Sequence, residues 1–125
     1  MTESKGKLLI IADLFFFAKL LEGAKVLGYE ATGAGNLEIA RRRLKENEFI
    51  AALVSMDKDG FDWVGFIQEV KSGPLADTLP LLAFGSHMNV EAFRRAEELG
   101  VDIVASNSRV ASELPYLIGA LTDYA

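Results

Sequence analysis

The chain contains no cysteine, which removes disulfide staples and thiolate metal sites from consideration. Histidine is almost as scarce. His87 is the only one, too few for a structural zinc centre, which draws on several His or Cys ligands. Basic residues are outnumbered 13 to 18, leaving a net charge of −5. Positive charge clusters only at Arg41-Arg42-Arg43, whereas nucleic-acid binding needs a concentrated basic face, so no nucleic-acid partner is expected. Long hydrophobic runs are missing too. Leu8–Leu21 is interrupted by Asp13 and Lys19, too short and too polar for a bilayer span, and no small-residue cleavage site follows it to make a secretory signal. The expectation is a cytoplasmic protein without membrane contact. No repeat, linker or low-complexity stretch divides residues 1–125, which read as one domain.

The chain is 50% apolar and 25% charged, an ordinary globular balance. A domain of this length buries roughly two-thirds of its unfolded surface. Five short apolar runs stand out: Leu8–Ala12, Glu30–Thr32, Ala51–Val54, Leu81–Phe84 and Ile103–Ala105. Helix-patterned stretches follow each of them. Phe16, Phe17, Leu20, Leu21, Ala24 and Leu27 recur at helical spacing before Gly28; Trp63, Phe66, Ile67 and Val70 stand at i, i+3, i+4 and i+7. Val90, Phe93 and Ala96 form the inner face of a further helix, and Leu114, Leu117, Ile118 and Leu121 that of the last. Asn36 and Asp62 are expected caps, as is Ser112, with Pro115 in the first turn of the last helix. Strict strand–helix alternation predicts a parallel sheet with right-handed crossovers. Five strands in the order 2-1-3-4-5 give a three-layer α/β/α, flavodoxin-like fold.

In such a sheet, ligands bind in the crevice beyond the carboxyl ends of the strands. The residues expected there are Asp13, Gly33, Ser55, Gly85-Ser86 and Ser106-Asn107, small polar groups with few reactive ones among them. A Ser55–His87–Asp13 nucleophile reading lacks the Gly-x-Ser-x-Gly elbow that exposes such a serine. Gly33-Ala34-Gly35 follows the second run without a Gly-x-Gly-x-x-Gly pattern or a Walker lysine, so a plain loop is expected over a phosphate loop. Asp13, Asp57, Asp59 and Asp62 supply oxygen ligands from which a weak Mg²⁺ or Ca²⁺ site would draw. Of three consecutive aromatics, Phe15-Phe16-Phe17, one must face the site or solvent, since three helical positions span about 200°. Phe15 is expected to plug the pocket, with a partner surface as the alternative. The triple arginine reads as a solvated helix face, with an acidic partner as the alternative.

The strings Gly28-Tyr29-Glu30-Ala31, Leu79-Pro80-Leu81-Leu82 and Leu99-Gly100-Val101-Asp102, with Asp62 before the third helix, resemble those of response-regulator receiver (CheY-like) domains. The resemblance spans essentially the whole chain and rests on spacing and order. It implies a chemistry that receivers carry out with an acidic pair after the first strand to hold Mg²⁺ and an Asp at the end of the third that takes the phosphoryl group. A Thr or Ser after the fourth strand and a Lys after the fifth contact the phosphoryl oxygens. Counted onto this chain, the acidic pair is Ala12 and Asp13, the acceptor position is Ser55, the Thr position is Gly85 with Ser86 beside it, and the Lys position is Asn107. Val104 stands where the fifth strand usually carries a switching aromatic.

The resemblance is therefore to a degenerate pseudo-receiver: a signalling module rather than an enzyme, without a cofactor, independent of phosphorylation and acting through protein contacts. Its implied partners are a histidine kinase or an output domain, or a second copy in a homodimer. Its implied partner face includes Arg94, Arg95, Glu98, Asp102, Val104 and Tyr116. Two alternatives stay open. One is an active receiver using Asp57 as acceptor, with Asp13 and Asp59 as its metal partners and Arg109 partly replacing the lysine. The other is a small-molecule or nucleotide binder in the same crevice.

Overall fold

Near-continuous apolar strands need cover on both faces, and the computed structural model, which describes residues 4–122, supplies it. The strands are β1 (Lys7–Ile11), β2 (Glu30–Gly33), β3 (Ala51–Ser55), β4 (Leu81–Gly85) and β5 (Ile103–Ser106). The helices are α1 (Leu14–Val26), α2 (Leu37–Glu46), α3 (Trp63–Ser72), α4 (Val90–Glu98), α5 (Asn107–Ser112) and α6 (Leu114–Thr122). One parallel sheet runs β2-β1-β3-β4-β5. Its register sets Ser55 beside Phe84 and Gly85 beside Ser106, so that β3, β4 and β5 end side by side.

Alternation along each strand divides the core. Leu8, Ile10, Leu53, Leu82, Phe84 and Ala105 meet α1, α5 and α6, whereas Leu9, Ile11, Ala52, Val54 and Leu81 meet α3 and the buried side of α2. Ala83 and Met56 lie under Ala92 and Ala96 of α4. Each fully buried Leu, Ile or Phe contributes about 1.5–3 kcal/mol relative to exposure, so the sheet's central strands hold most of the stability.

The helix ends follow local chemistry. Asn36, Asp62 and Asn89 accept from the backbone N–H groups of Ile39, Gly65 and Ala92, capping α2, α3 and α4. α1 and α4 both close in Schellman motifs. Tyr29 N–H donates to the Ala24 carbonyl and Gly28 N–H to that of Lys25; Val101 N–H donates to Ala96 and Gly100 N–H to Glu97. The glycines hold φ of +92° and +84° there. At Gly100 an added methyl would meet only the Lys71 Cε at 3.9 Å, so the cost of a side chain is conformational. Gly100→Ala is expected to lower stability by about 1–2 kcal/mol, read as a lower urea midpoint at an unchanged slope.

Three expectations are corrected. Ser112 does not cap the last helix: it ends α5, where its hydroxyl donates to the Ser108 carbonyl, and α6 begins at Leu114 with Pro115 as its second residue. Val90, expected inside, is 61% exposed, because the small Ala92 and Ala96 bring α4 close to the sheet along a different stripe. The triple arginine is not simply solvated. Arg41 pairs with Glu69 across α2 and α3, and Arg43 Nε donates to the Gly33 carbonyl at 3.3 Å. The Arg41 hydrogen bond holds the Glu69 carboxyl below the usual carboxylate range. A lowered acid contributes above its unfolded pKa and loses that contribution as pH falls through its folded one, so this link opens only on acidification.

Candidate functional site

The ends of β3, β4 and β5 converge on one carboxylate. Ser55, the last residue of β3, is the sole buried polar side chain among the described residues. Its hydroxyl accepts from the Asp57 backbone N–H at 3.1 Å, turning the chain just past the strand. Asp57 then points across the strand ends. Its Oδ2 accepts from the Ser86 backbone N–H at 2.7 Å and from the Asn107 side-chain amide at 3.3 Å. One side chain thus ties the segment after β3 to the segment after β4 and to the first residue of α5. Charge-assisted bonds of this kind are stronger than neutral ones.

Gly85 is part of the same construction. A Cβ placed on it would stand 3.1 Å from Asp57 Oδ1 and 3.3 Å from the Met56 Cε. The missing side chain is what lets the carboxylate lie where it does. Ser86 starts a tight turn in which its hydroxyl accepts from Met88 N–H and its carbonyl from Asn89 N–H. Ser106 caps α5 by accepting from Arg109 N–H at 3.2 Å, which positions Asn107 for its bond to Asp57.

Other expected site residues lie elsewhere. Ala12 is buried beside the core with no carboxylate to offer. Asp13 Oδ1 accepts from Phe16 N–H at 3.0 Å and caps α1, while Asp62 caps α3. Among the described residues, no three His, Cys, Asp or Glu side chains gather as a metal site, and Asp13, Asp57, Asp59 and Asp62 do not come together. His87 is exposed on the turn after β4, and Ser55 is bonded to the Asp57 amide, so no Ser55–His87–Asp13 relay forms. Arg109 is turned away from Asp57: its Nε lies 3.3 Å from Glu113, and its guanidinium sits 6.0 Å from the Tyr116 ring. Gly33 admits Phe17, whose ring would stand 2.9 Å from a Cβ there.

Phe15 is not the plug. It is 76% exposed, and it is Phe16 that reaches inward, its ring 5.6 Å from that of Phe84. Among the described residues, concavities of about 520, 370, 700 and 300 Å³ open on the surface, and none of these has Asp57, Ser86 or Asn107 in its lining.

The expected partner face divides in two. Arg94, Arg95, Glu98 and Tyr116 are exposed, with Arg94 near Glu91 and Arg95 near Glu98 within α4. Asp102, also exposed, and Val104 make contacts within the fold. Asp102 Oδ2 accepts from the Leu81 backbone N–H at 2.7 Å and lies 3.9 Å from Lys71 Nζ. Val104 packs half-buried against the Met56, Ala83, Ala92 and Ala96 cluster.

The fold is that of solved response-regulator receiver domains, which share its five-stranded sheet. A candidate response regulator from Chloroflexus aurantiacus is 25% identical, with a TM-score of 0.82, over 94% of this chain and 98% of that one. NtrX from Brucella abortus superposes with a TM-score of 0.80 at 16% identity; 94% of this chain is matched, but it spans only 27% of the NtrX chain. The beryllofluoride-activated NtrC4 receiver domain, solved as a dimer, gives a TM-score of 0.79 at 21% identity, covering 95% of this chain and 98% of that one. No protein-family model matches the sequence, and no curated protein matches it. No helix among the described residues is long and apolar enough to cross a membrane.

Asp57 was legible only as an outside candidate. The signal that marks it is the pairing of an Asp two residues past β3 with glycine, not threonine, at position 85.

Proposed function

We propose that this protein is a receiver-like signalling module that works through protein contacts without being phosphorylated, because its own Asp57 carboxylate does the joining that a phosphoryl group does in receivers. The observation that carries this reading is the pair of hydrogen bonds that Asp57 Oδ2 accepts, from Ser86 N–H and from the Asn107 side-chain amide. Ser86 stands beside one position from which receivers contact phosphoryl oxygens, and Asn107 occupies the other. An anion held there links the fourth- and fifth-strand ends, as a transferred phosphoryl would, but permanently. Its partners are signalling proteins of the kinds receivers meet, histidine kinases or output domains, and the exposed Arg94, Arg95, Glu98 and Tyr116 are available to them.

Missing parts argue in the same direction. Position 12 has no carboxylate, Asp13 is engaged as a cap, and Asn107 brings no positive charge. Removing even one neutral donor aimed at a developing oxyanion costs about 2.7–4 kcal/mol, or about 10²–10³ in rate.

Incubation with Mg²⁺ and acetyl phosphate, or with beryllofluoride, is expected to leave the intact mass and the amide NMR spectrum unchanged. A second reading, Asp57 as an active acceptor, has one observation in its favour: the carboxylate is exposed and its Oδ1 accepts no hydrogen bond among the described residues. A phosphoryl mass increment on Asp57 would replace the first reading with the second.

Gly85→Thr gives an orthogonal check. The new side chain must push the Asp57 carboxylate off Ser86 and Asn107, with an expected loss of about 1–3 kcal/mol. In an Asp57→Ala background the same change should cost much less. Equal costs in the two backgrounds would show that position 85 does not sense the carboxylate.

A further inference from the structure

Three of the exposed large apolar side chains among the described residues lie on a single helix, Leu14 at 86%, Val26 at 82% and Phe15 at 76%, whereas Met88, at 77%, lies on the turn after β4. With Ala18, Lys19, Glu22 and Lys25 they form one continuous outer face of α1, about 140° wide at 100° per residue. Leu14, Phe15, Ala18, Lys19 and Glu22 line a shallow concavity of about 700 Å³. None of Lys19, Glu22 or Lys25 has an ion-pair partner among the described residues.

The pattern along this face is complementary to itself when reversed. In an antiparallel helix pair, residues equally distant from the midpoint meet, and residues on one flank meet the same flank of the other copy. With the midpoint between Leu20 and Leu21, Phe15 faces Val26 of the second copy, and Lys19 faces Glu22 of the second copy. One register satisfies both pairs, and the two-fold axis doubles each. Ala18, near the centre, carries no bulk to hold the helices apart. Parallel pairing would set Lys19 against Lys19 and Glu22 against Glu22.

We infer that α1 is an isologous docking surface for a second copy of this chain, in antiparallel register about residues 20–21. The occupant follows from charge and shape together. The chain as a whole is acidic, at −5, so two copies repel at long range, but this face alone pairs opposite signs. A single helix pair buries less than the 1,200–2,000 Å² or so of a standard interface. The dimer is therefore weak and salt-sensitive, with a dissociation constant on the order of 10⁻⁵ to 10⁻⁴ M. The inference is independent of whether Asp57 is phosphorylated.

Sedimentation velocity of the whole chain at low salt, from about 10 μM to about 1 mM, brackets that range. Wild type is expected to pass from monomer to dimer. Lys19→Glu and Glu22→Lys should each weaken dimerisation by roughly tenfold, and the double exchange should restore it to within about threefold of wild type. The two single exchanges move net charge in opposite directions, to −7 and −3 from −5, so a simple net-charge effect would give opposite signs. Both side chains are exposed, so neither variant threatens folding.

The absence of cysteine allows a direct test of register. Under mild oxidation, a mixture of Phe15→Cys and Val26→Cys chains should cross-link to a mixed dimer much faster than either chain alone. A chain that stays monomeric to 1 mM or so overturns the inference. So does a dimer indifferent to both charge exchanges, which would lie on another face, or equal cross-linking of Phe15→Cys with itself.

Discussion

Replacing Phe84 by alanine is expected to remove about 3–5 kcal/mol of folding stability, much of what a domain this size possesses. The ring is fully buried in the second-last strand of the sheet order. It packs against Phe16 of α1 and belongs to the cluster that also holds Leu82, Leu117 and Ile118. Deleting it removes transfer free energy and leaves a cavity between sheet and helix that a regular strand cannot collapse to fill. Phe15→Ala, one residue away from Phe16 in sequence, should change monomer stability by no more than about 0.5 kcal/mol, because Phe15 touches mainly solvent. Urea titrations of the two variants in dilute solution provide the comparison. A Phe84→Ala chain within about 1 kcal/mol of wild type would contradict the packing described for α1 against β4.

Asp102→Ala is the second large effect, about 1–3 kcal/mol. The Leu81 N–H that Asp102 accepts belongs to a residue only 1% exposed, so removing the carboxylate leaves a buried donor without a partner. Asp102→Asn keeps an acceptor oxygen and should recover a substantial part of the loss. A partner-facing role for Asp102 predicts the reverse: little change in stability for either variant, with loss of binding instead. Thermal or urea unfolding of both variants separates these outcomes, since the structural role moves alanine well below asparagine.

Much of the fold was legible because it is written in short-range terms. The strands appear as apolar runs because they are covered on both sides, and each run fell within a residue of the observed strand. Asn36 and Asp62 were legible as caps because a cap bonds to an N–H three residues away. Gly28 was legible as a helix end for the same reason. Where two local signals competed, sequence reasoning went astray. Ser112 looked like a cap before Pro115, but α5 already occupies that segment because Ser106, directly after β5, is itself a cap.

The site was legible in its place but not in its wiring. The Asp57–Ser86 and Asp57–Asn107 bonds join residues 29 and 50 positions apart. No periodicity encodes such contacts. They depend on how β3, β4 and β5 align, and on the turn that the Ser55 hydroxyl makes with the Asp57 amide. The apolar spacing set Phe16 on the inner stripe, but only the rotation of α1 on the sheet decides that it meets Phe84 while Phe15 stays in solvent. The same rotation leaves Leu14, Phe15 and Val26 outside.

By itself, then, the sequence determined the parallel five-stranded sheet, its order and the location of the crevice, since these depend on residue type and spacing along the chain. Only the tertiary structure decided that Asp57 bridges the strand ends, that Asp102 and Val104 support the fold, and that one apolar face of α1 stays uncovered. Those outcomes depend on register and helix rotation, which are settled when distant segments pack and their side chains are forced to share space.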